Sequence, residues 1–287
     1  DRVPLSSKPG LDWPDMVFMF TDTILIFDHV RHTLKVVANA SIDGDPNEAY
    51  AGAIQRINHL CALLSRPAPH PLIDARSTTG GEPVFRSNMT REQFMAAVDR
   101  AKEYIRAGDI IQVVLSQRLE MDCPGHPLDV YRAIRSVNPS PYMYCLDIGG
   151  LHVVGSSPEI HVRCEDRTAE IRPIAGTRPR RETPGEDARL AEELLADPKE
   201  RAEHIMLVDL ARNDLGRVCE YGSVKVPELM VIERYSHVMH IVSDVTGRLA
   251  GEQDVYETLK ATFPAGTVSG APKIRAMEII AELEAAR

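Results

Sequence analysis

Cysteine is scarce in this chain, and its spacing excludes a disulfide framework and a zinc site. The cysteines number five, an odd count, and even the two nearest in sequence, Cys145 and Cys164, are too far apart for a zinc knuckle. This number and spacing of cysteines fit a protein of the reducing cytoplasm best. Long apolar runs are also lacking: none reaches the roughly 18 residues that a membrane span needs, and no signal peptide is visible.

Positive charge is in deficit as well. Lysine and arginine total 33 against 42 aspartate and glutamate residues, which gives a formal net charge of −9. A chain of this sign is not expected to bind nucleic acid or an anionic membrane surface. The apolar fraction of 44% and the charged fraction of 26% are those of an ordinary globular protein, and 287 residues can form one large domain or two small ones.

Proline and glycine cluster at residues 65–88, so this stretch is the best candidate for a domain boundary or a long loop. Both ends of the chain are expected to be cuts. The sequence opens on Asp1 rather than Met, and residues 281–287 are typical of a helix that has no glycine or proline stop.

Hydrophobic periodicity predicts helices placed among hairpins. Helical spacing runs from Pro46 to Leu64, and Thr90–Gln93 forms a capping box ahead of a helix that ends near Gly108. A strand is predicted at Ile110–Leu119, with Gln112 on a face that mixes apolar and polar groups. Further strands are predicted at residues 17–27, 34–38, 142–148, 151–155, 160–164, 169–174, 224–229, 230–235 and 238–245. Because hairpins dominate and no βαβ repeat occurs, we expect antiparallel sheets with helices outside, an α+β fold.

Two acidic residues stand at the start of an apolar helix. Asp197 can cap this helix, and Glu200 occupies the capping-box position. A spacing of three places Glu200 and Glu203 on one helical face. The pair could cap the helix and bind Arg201 or Arg217, or it could hold a hard cation such as Mg²⁺. The stretch alone leaves both readings open.

The segment Gly266–Lys273 superficially resembles a phosphate-binding loop. It fails the test because Ile274 follows Lys273 where Ser or Thr would bind magnesium. What remains is a glycine-rich turn into a helix N-terminus, which is either an anion site or a structural turn. His240, on a predicted strand, is by itself either a core histidine or a functional one.

Several motifs occur together and in a fixed order, and together they resemble the chorismate-utilising enzymes. The similarity is strongest to the synthase subunits (component I) of anthranilate synthases, and it covers nearly the whole chain. It implies a layered fold with two antiparallel sheets around a substrate cleft. Residues 1–75 would be the end of an N-terminal region, and residues 88–287 a C-terminally truncated chorismate-binding catalytic domain. The motifs are Asn138–Met143, Gly155–Glu159, Pro173–Arg178, Glu200–Asn213, Tyr235–His240 and Gly266–Lys273.

The resemblance implies a reaction in which chorismate and ammonia give anthranilate and pyruvate, with Mg²⁺ on the ring carboxylate. It implies that Glu203 is a magnesium ligand. Glu200 would either support the metal ligands without binding the ion or reach the ion through a water molecule. His240 would act in the elimination step. The other catalytic residues implied are Thr267, Glu159 and Gln112, and the implied substrate-binding residues are Ala175, Gly176, Thr177, Ser269 and Gly270.

Two positions discriminate within the family. Ala175 stands where aminodeoxychorismate synthases typically carry lysine, and Gln112 stands where isochorismate and salicylate synthases place a lysine base. A neutral glutamine fits ammonia, which needs no base to become a nucleophile. Both positions favour an anthranilate synthase. The alternatives are an aminodeoxychorismate or salicylate-type synthase, and a non-catalytic module that binds tryptophan or chorismate.

The resemblance also implies partners. A glutamine amidotransferase subunit would deliver ammonia, and Pro141, Tyr142 and Met143 match a feedback pocket for L-tryptophan. The other wall of that pocket, a Leu-Leu-Glu-Ser motif, does not occur in this sequence. The family's second magnesium glutamate and a carboxylate-binding loop would lie beyond Arg287. We therefore expect these 287 residues alone to have little or no activity.

Overall fold

The computed structural model describes residues 3, 8, 10–67, 84–123 and 125–286. The chain divides into two compact units, one of Asp12–Gly81 and the other of Asp1–Leu11 with Glu82–Arg287. The predicted boundary at residues 65–88 falls largely on residues 68–83, outside the described ones. Within the described part of the chain, no helix is both long and apolar enough to cross a membrane.

The described part of the smaller unit is a hairpin followed by a helix. Strands β1 (Thr23–Asp28) and β2 (Thr33–Ala38) pair antiparallel, and helix α1 follows at Pro46–Leu64. The predicted hairpin and helix are confirmed, although the first strand begins at Thr23 rather than at residue 17. Arg56 ties helix to hairpin, because it donates to the Asn39 carbonyl at 2.7 Å.

The helices of the larger unit begin where the sequence provides caps. Thr90 and Gln93 exchange the two hydrogen bonds of a capping box, at 3.2 and 2.8 Å, and Gly108 ends that helix with a φ of 82°. The last helix ends at Leu283, so the prediction that it continues through residues 281–287 is wrong. The six helices described in this unit are α2 (Arg91–Ala107), α3 (Pro127–Val137), α4 (Pro184–Ala196), α5 (Pro198–Gly216), α6 (Val255–Thr262) and α7 (Lys273–Leu283).

The strands of the larger unit all pair antiparallel, which confirms the α+β class. They are β3 (Arg86–Ser87), β4 (Gln112–Val113), β5 (Leu119–Glu120), β6 (Tyr142–Ile148), β7 (Leu151–Ser157), β8 (Arg163–Glu165), β9 (Thr168–Ile171), β10 (Ile174–Pro179), β11 (Lys225–Arg234), β12 (Val238–Arg248) and β13 (Gly270–Ala271). Strands β8 to β12 form a five-stranded sheet, in which β12 pairs with β9, β10 and β11. The others form the pairs β3–β5, β4–β13 and β6–β7.

Two strand predictions need correction. The strand expected at Ile110–Leu119 is paired only at its two ends, because side chains take up the backbone donors between them. Ser116 N donates to Glu284 Oε1 at 2.7 Å, and Arg118 N donates to Asn88 Oδ1 at 3.0 Å. The two strands expected at residues 224–235 are one strand, β11, whose register shifts around Met230, where φ is 54°.

The core places helix α5 against the five-stranded sheet. Val208, Ala211 and Leu215 of α5 are buried with Val245 and Leu249 of the β12 region. The helix is less fully buried than its apolar sequence predicts, since Ile205 remains 42% exposed. One face of α5 therefore packs on the sheet, while Glu200 and Glu203 lie at its first turns.

Candidate functional site

A bulge at Gly176 creates the first part of the candidate site. The β10–β12 register shifts between Ala175 and Thr177, and Gly176 has a φ of 71°. A Cβ atom at Gly176 would lie 3.2 Å from Glu200 Oε2, and Leu194 and Ile241 would crowd it as well. Glycine is required by both the backbone conformation and this close approach.

His240 faces this bulge from β12. Its Nδ1 lies 3.1 Å from the Gly176 carbonyl oxygen and 3.0 Å from Thr177 Oγ1. A carbonyl oxygen can only accept, so the neutral ring carries its proton on Nδ1 and keeps a lone pair on Nε2. The Tyr235 ring packs edge-on to the imidazole at 5.5 Å. The structure therefore brings Gly176, Thr177 and His240 together and orients the histidine.

Glu200 is held by an arginine of β10. Asp197 caps α5 by accepting from Lys199 N and Glu200 N, but the Glu200 side chain does not complete a capping box. Instead Glu200 Oε1 lies 3.4 Å from Arg178 Nη1. The ion pairs expected with Arg201 or Arg217 do not form. Arg178 also pairs with Asp197 and with Glu193, so this cation is shared among three acids.

Glu203 has a different environment. Its side chain is partly buried one turn after Glu200, and it makes no hydrogen bond or ion pair with the described residues. Among those residues no cluster of three or more His, Cys, Asp or Glu side chains has the arrangement of a metal site. Glu203 therefore offers an uncommitted carboxylate, whereas Glu200 is already paired.

Glu159 and Thr267 line a small cavity against helix α5. The cavity has a volume of about 30 Å³ and is also bordered by Pro173, Leu210 and Gly266. A Cβ atom at Gly266 would overlap the Leu210 side chain, which explains the glycine there. Burial raises the pKa of Glu159 to about 7. This carboxyl can therefore exist in both protonation states near neutral pH.

Two of the three residues predicted to bind L-tryptophan lie beside this region. Pro141 and Tyr142 line a cavity of about 180 Å³ together with Glu159 and Tyr235. Met143 lies on β6, but it does not line that cavity. Glu159 therefore borders both cavities.

The loop after α6 and the strand β4 form a third group. Gly270 pairs with Val113, and a Cβ at Gly270 would collide with the Gln112 carbonyl oxygen. Ser269 is buried, and its hydroxyl donates to the Ala265 carbonyl at 2.9 Å. The Ser269 hydroxyl is therefore committed to the loop. By contrast, Gln112 Oε1 is buried and has no hydrogen-bond partner among the described residues.

Two buried polar pairs link residues that the sequence did not predict to be partners. Lys273 Nζ lies 2.6 Å from Asp214 Oδ2 and donates to the Thr262 carbonyl at 2.8 Å. This lysine is therefore not available to bind an anion at the start of α7. His204 is fully buried with Nε2 2.6 Å from Ser243 Oγ, and burial lowers its pKa to about 4. A signal for the first pair was present, because Asp214 is an acid at the end of an apolar helix.

Two arginines near the ends of β10 and β11 are bound to one buried acid, Asp187. Arg180 Nε donates to Asp187 Oδ1 at 2.9 Å, and Arg234 Nε donates to Oδ2 at 3.2 Å. Arg181 N also donates to Oδ1, at 3.1 Å. Asp187 therefore joins the N-terminus of α4 to the C-terminal ends of β10 and β11.

The Asp187→Asn variant is expected to unfold at lower urea concentration than the wild type at pH 7. Its hydrogen bonds to Arg180 and to Arg181 N lower the pKa of Asp187. The stability this gives is complete above the unfolded pKa of about 3.9 and is lost as pH falls through the folded value. The difference between the two proteins should therefore shrink below about pH 4. Asp99→Asn, on the exposed face of α2, is the control, and a pH-independent difference would contradict the prediction.

The family of the chain is shown by comparison with known proteins. The chain matches the model of the chorismate binding enzyme family over residues 2–287. The chain belongs to the chorismate-binding enzyme family. The resemblance predicted from the motifs is thereby confirmed.

Members of this family resemble the chain in sequence and in structure. Anthranilate synthase component 1 of Synechocystis sp. is 52% identical over 299 residues, which cover 100% of this chain and 59% of that protein. Anthranilate synthase component I of Streptococcus pneumoniae superposes with a TM-score of 0.86 at 38% identity, covering 99% of this chain and 62% of that one. The menaquinone-specific isochorismate synthase of Escherichia coli shares the fold, with a TM-score of 0.66 at 23% identity over 83% of this chain and 54% of that one. The chain thus spans only part of the length of these proteins.

Proposed function

We propose that the protein is the synthase subunit of an anthranilate synthase, which converts chorismate and ammonia to anthranilate and pyruvate. The observation that carries this proposal is the environment of Gln112. Its buried Oε1 is an acceptor without a partner among the described residues, and ammonia offers N–H donors. An amide cannot act as the base that a water-using synthase needs. The identity to anthranilate synthase components over the whole chain supports the same choice.

We also propose that the site takes Mg²⁺. Glu203 suits this ion, because its carboxylate oxygens are hard donors that no described residue occupies. Mg²⁺ is commonly held by one or two carboxylates, with water and substrate as the other ligands. Glu200, already paired with Arg178, suits a place beside the ion. When bound, the ion would draw electron density from the ring through the ring carboxylate.

The proposed chemistry assigns protons to two residues. Glu159, with its raised pKa, would donate a proton to the 4-hydroxyl of chorismate, which leaves as water. His240 would take up the ring proton on Nε2 during the elimination of pyruvate, since Nδ1 is bound to the Gly176 carbonyl. Thr177 and Thr267 would contact the substrate, while Ser269 and Gly270 shape the loop that carries Thr267.

The direct test is product identification with the chain extended to the full length of its relatives. Purified enzyme is incubated with chorismate, Mg²⁺ and ammonium, and anthranilate is followed by its fluorescence. We expect anthranilate and pyruvate in equal amounts, and no turnover after the metal is removed with a chelator. Aminodeoxychorismate, isochorismate or salicylate as the product would contradict the proposal. Calorimetric binding of tryptophan without any turnover would favour a binding module instead.

The His240→Met variant is expected to slow pyruvate release about a hundredfold, because methionine cannot take up a proton. Amination should be slowed much less, since His240 is assigned to the later step. Rapid-quench chromatography would then show an aminated intermediate before pyruvate. His237→Met, which replaces an exposed histidine just before β12, is the control. Loss of amination in the His240 variant would contradict this role.

We further propose the remaining assignments that the resemblance implies. Residues 88–287 would form the chorismate-binding catalytic domain, and residues 1–75 would be the end of the N-terminal region. A glutamine amidotransferase subunit would supply ammonia in the cytoplasm. Pro141 and Tyr142, which line the 180 Å³ cavity, support a feedback site for L-tryptophan, with Met143 following Tyr142 on β6.

A further inference from the structure

The small cavity beside α5 has polar groups that the proposed reaction does not use. Besides Glu159 and Thr267, it is lined by His161, Asp214 and Thr262. The remaining lining residues are mostly apolar, so the polar atoms have few partners. This composition differs from that of an apolar packing defect, which stays dry.

Two atoms of these lining residues are buried without a hydrogen bond to any described residue. One is Asp214 Oδ1, on a residue that is only 3% exposed, whose other oxygen is taken by Lys273. The second is Nε2 of His161. Buried polar atoms are almost always hydrogen-bonded, either to protein or to an ordered water. A polar cavity of about 30 Å³ is large enough for one water molecule.

His161 is placed between this cavity and the solvent. The residue is only partly buried, although its Nε2 is buried. Its ring packs edge-on against Phe263, with centroids 6.0 Å apart. Nδ1 makes no hydrogen bond with the described residues and is not among their buried, unpartnered atoms. One side of the imidazole thus faces the cavity, and the rest of the residue reaches the surface.

We propose that this cavity binds one water molecule between Asp214 Oδ1 and His161 Nε2, and that His161 returns a proton to Glu159 through this water after each turnover. The second half of the proposal rests on the proposed function. Glu159 becomes a carboxylate when its proton leaves with the 4-hydroxyl as water. His161, protonated from solvent, gives its Nε2 proton to the bound water, which passes one of its own protons to the Glu159 carboxylate. No bond to carbon changes, and no oxidant or reductant is needed.

The surrounding charges suit this path. Asp214 accepts a hydrogen bond from the water through Oδ1, while its charge is balanced by Lys273 on α7. The positive charge of Arg217, at the end of α5, also opposes the rise in the pKa of Asp214 that burial causes. On the other side of Glu159 lie Arg172, Glu233 and Tyr235, which bind one another: Glu233 lies 2.5 Å from Arg172 Nη2 and 2.8 Å from the Tyr235 hydroxyl. Arg172 and Tyr235 are both bound to Glu233, so we assign the proton exchange with Glu159 to His161, whose Nε2 is buried without a partner among the described residues.

The binding half of the proposal can be tested on the 287-residue chain by crystallography at high resolution. We expect one water within hydrogen-bond distance of Asp214 Oδ1 and His161 Nε2. His161→Gln should retain this water, because the glutamine amide reaches the position of Nε2, whereas His161→Leu should lose it. An empty cavity in the wild type, or a bound cation in place of the water, would overturn the site. Asp214 is left unchanged in these tests because substitution would break its buried pair with Lys273.

The relay half is tested by kinetics in the enzyme extended to the length of its relatives. His161→Gln should lower kcat about tenfold and leave KM for chorismate within about twofold. Its kcat should rise with the concentration of imidazole buffer, and its solvent deuterium isotope effect should exceed that of the wild type. A merely structural role would give neither buffer rescue nor the isotope effect. His152→Gln, on the β6–β7 hairpin, is the matched control.

The outcomes separate this proposal from the proposed function. If the wild type makes no anthranilate, the proposed function fails and the relay fails with it, while the crystallographic test still decides the water site. If the wild type is active and His161→Gln turns over at the same rate, only the relay is overturned. Reduced kcat with buffer rescue supports the relay.

Discussion

Replacing Lys273 with methionine is expected to destabilise the larger unit by about 3–5 kcal/mol. The Lys273 ammonium and the Asp214 carboxylate are both buried, with Nζ 2.6 Å from Oδ2. Burial raises the pKa of Asp214, and the hydrogen bond from Lys273 opposes this rise. Without the lysine, the carboxylate must lose its charge or remain unpaired in the interior, and the Thr262 carbonyl loses its donor. Each of these costs free energy.

Urea unfolding followed by circular dichroism would measure this change. Lys199→Met, which removes an exposed lysine of α5, is the control and should shift stability by less than about 0.5 kcal/mol. The double variant Asp214→Asn/Lys273→Met should be less destabilised than the sum of its two single variants, because the second change no longer leaves a buried charge unpaired. Additive effects would show that the pair is not coupled.

Local features of the fold were predictable from the sequence because they depend on neighbouring residues. The capping box at Thr90–Gln93 and the Asp197 cap of α5 involve residues three positions apart or fewer. The β6–β7 hairpin turns at Gly149–Gly150, where both φ angles are positive. Such signals are complete within a few residues, and tertiary contacts did not override them.

Features that depend on distant residues were not predictable. Glu200 of α5 is paired with Arg178 of β10. The two residues meet because the bulge at Gly176 brings β10 close to the first turn of α5. Asp214 and Lys273 are also on separate helices, and nothing in either local sequence selects the other. The failed strand at Ile110–Leu119 has the same cause. The side chains of Asn88 and Glu284, which are remote in the chain, accept the backbone hydrogen bonds that a neighbouring strand would otherwise accept.

The motifs in the sequence predicted some residues of the candidate site but not others. Gly176, Thr177 and His240 were identified by motif, and the structure brings them within hydrogen-bond distance. Ser269 was identified by the same route, but its hydroxyl is used inside its own loop. Motifs do not distinguish a residue that touches a ligand from one that shapes the loop beside it. His161 belongs to no motif, and only the cavity reveals it.

The Glu203→Gln variant is expected to lower turnover about a thousandfold or more in the enzyme extended to the length of its relatives. Glutamine has nearly the same shape as glutamate, but its amide carries no charge to hold Mg²⁺. Glu203 makes no hydrogen bond or ion pair with the described residues, so the substitution breaks no contact that stabilises them. The melting temperature should therefore stay within about 2 °C of the wild type.

The measurement that separates metal binding from folding is magnesium affinity in the presence of chorismate, read by calorimetry beside anthranilate formation. Glu200→Gln should weaken magnesium binding less than Glu203→Gln, because Glu200 is paired with Arg178. The Glu200 variant should also weaken the packing of this side chain against Gly176. Glu192→Gln, an exposed glutamate of α4, is the control. Equal losses in the Glu200 and Glu203 variants would place both carboxylates on the metal, whereas undiminished turnover in Glu203→Gln would remove Glu203 from it. The geometry favours the unequal result, since a carboxylate already bound by a guanidinium must give up that partner before it can bind the ion.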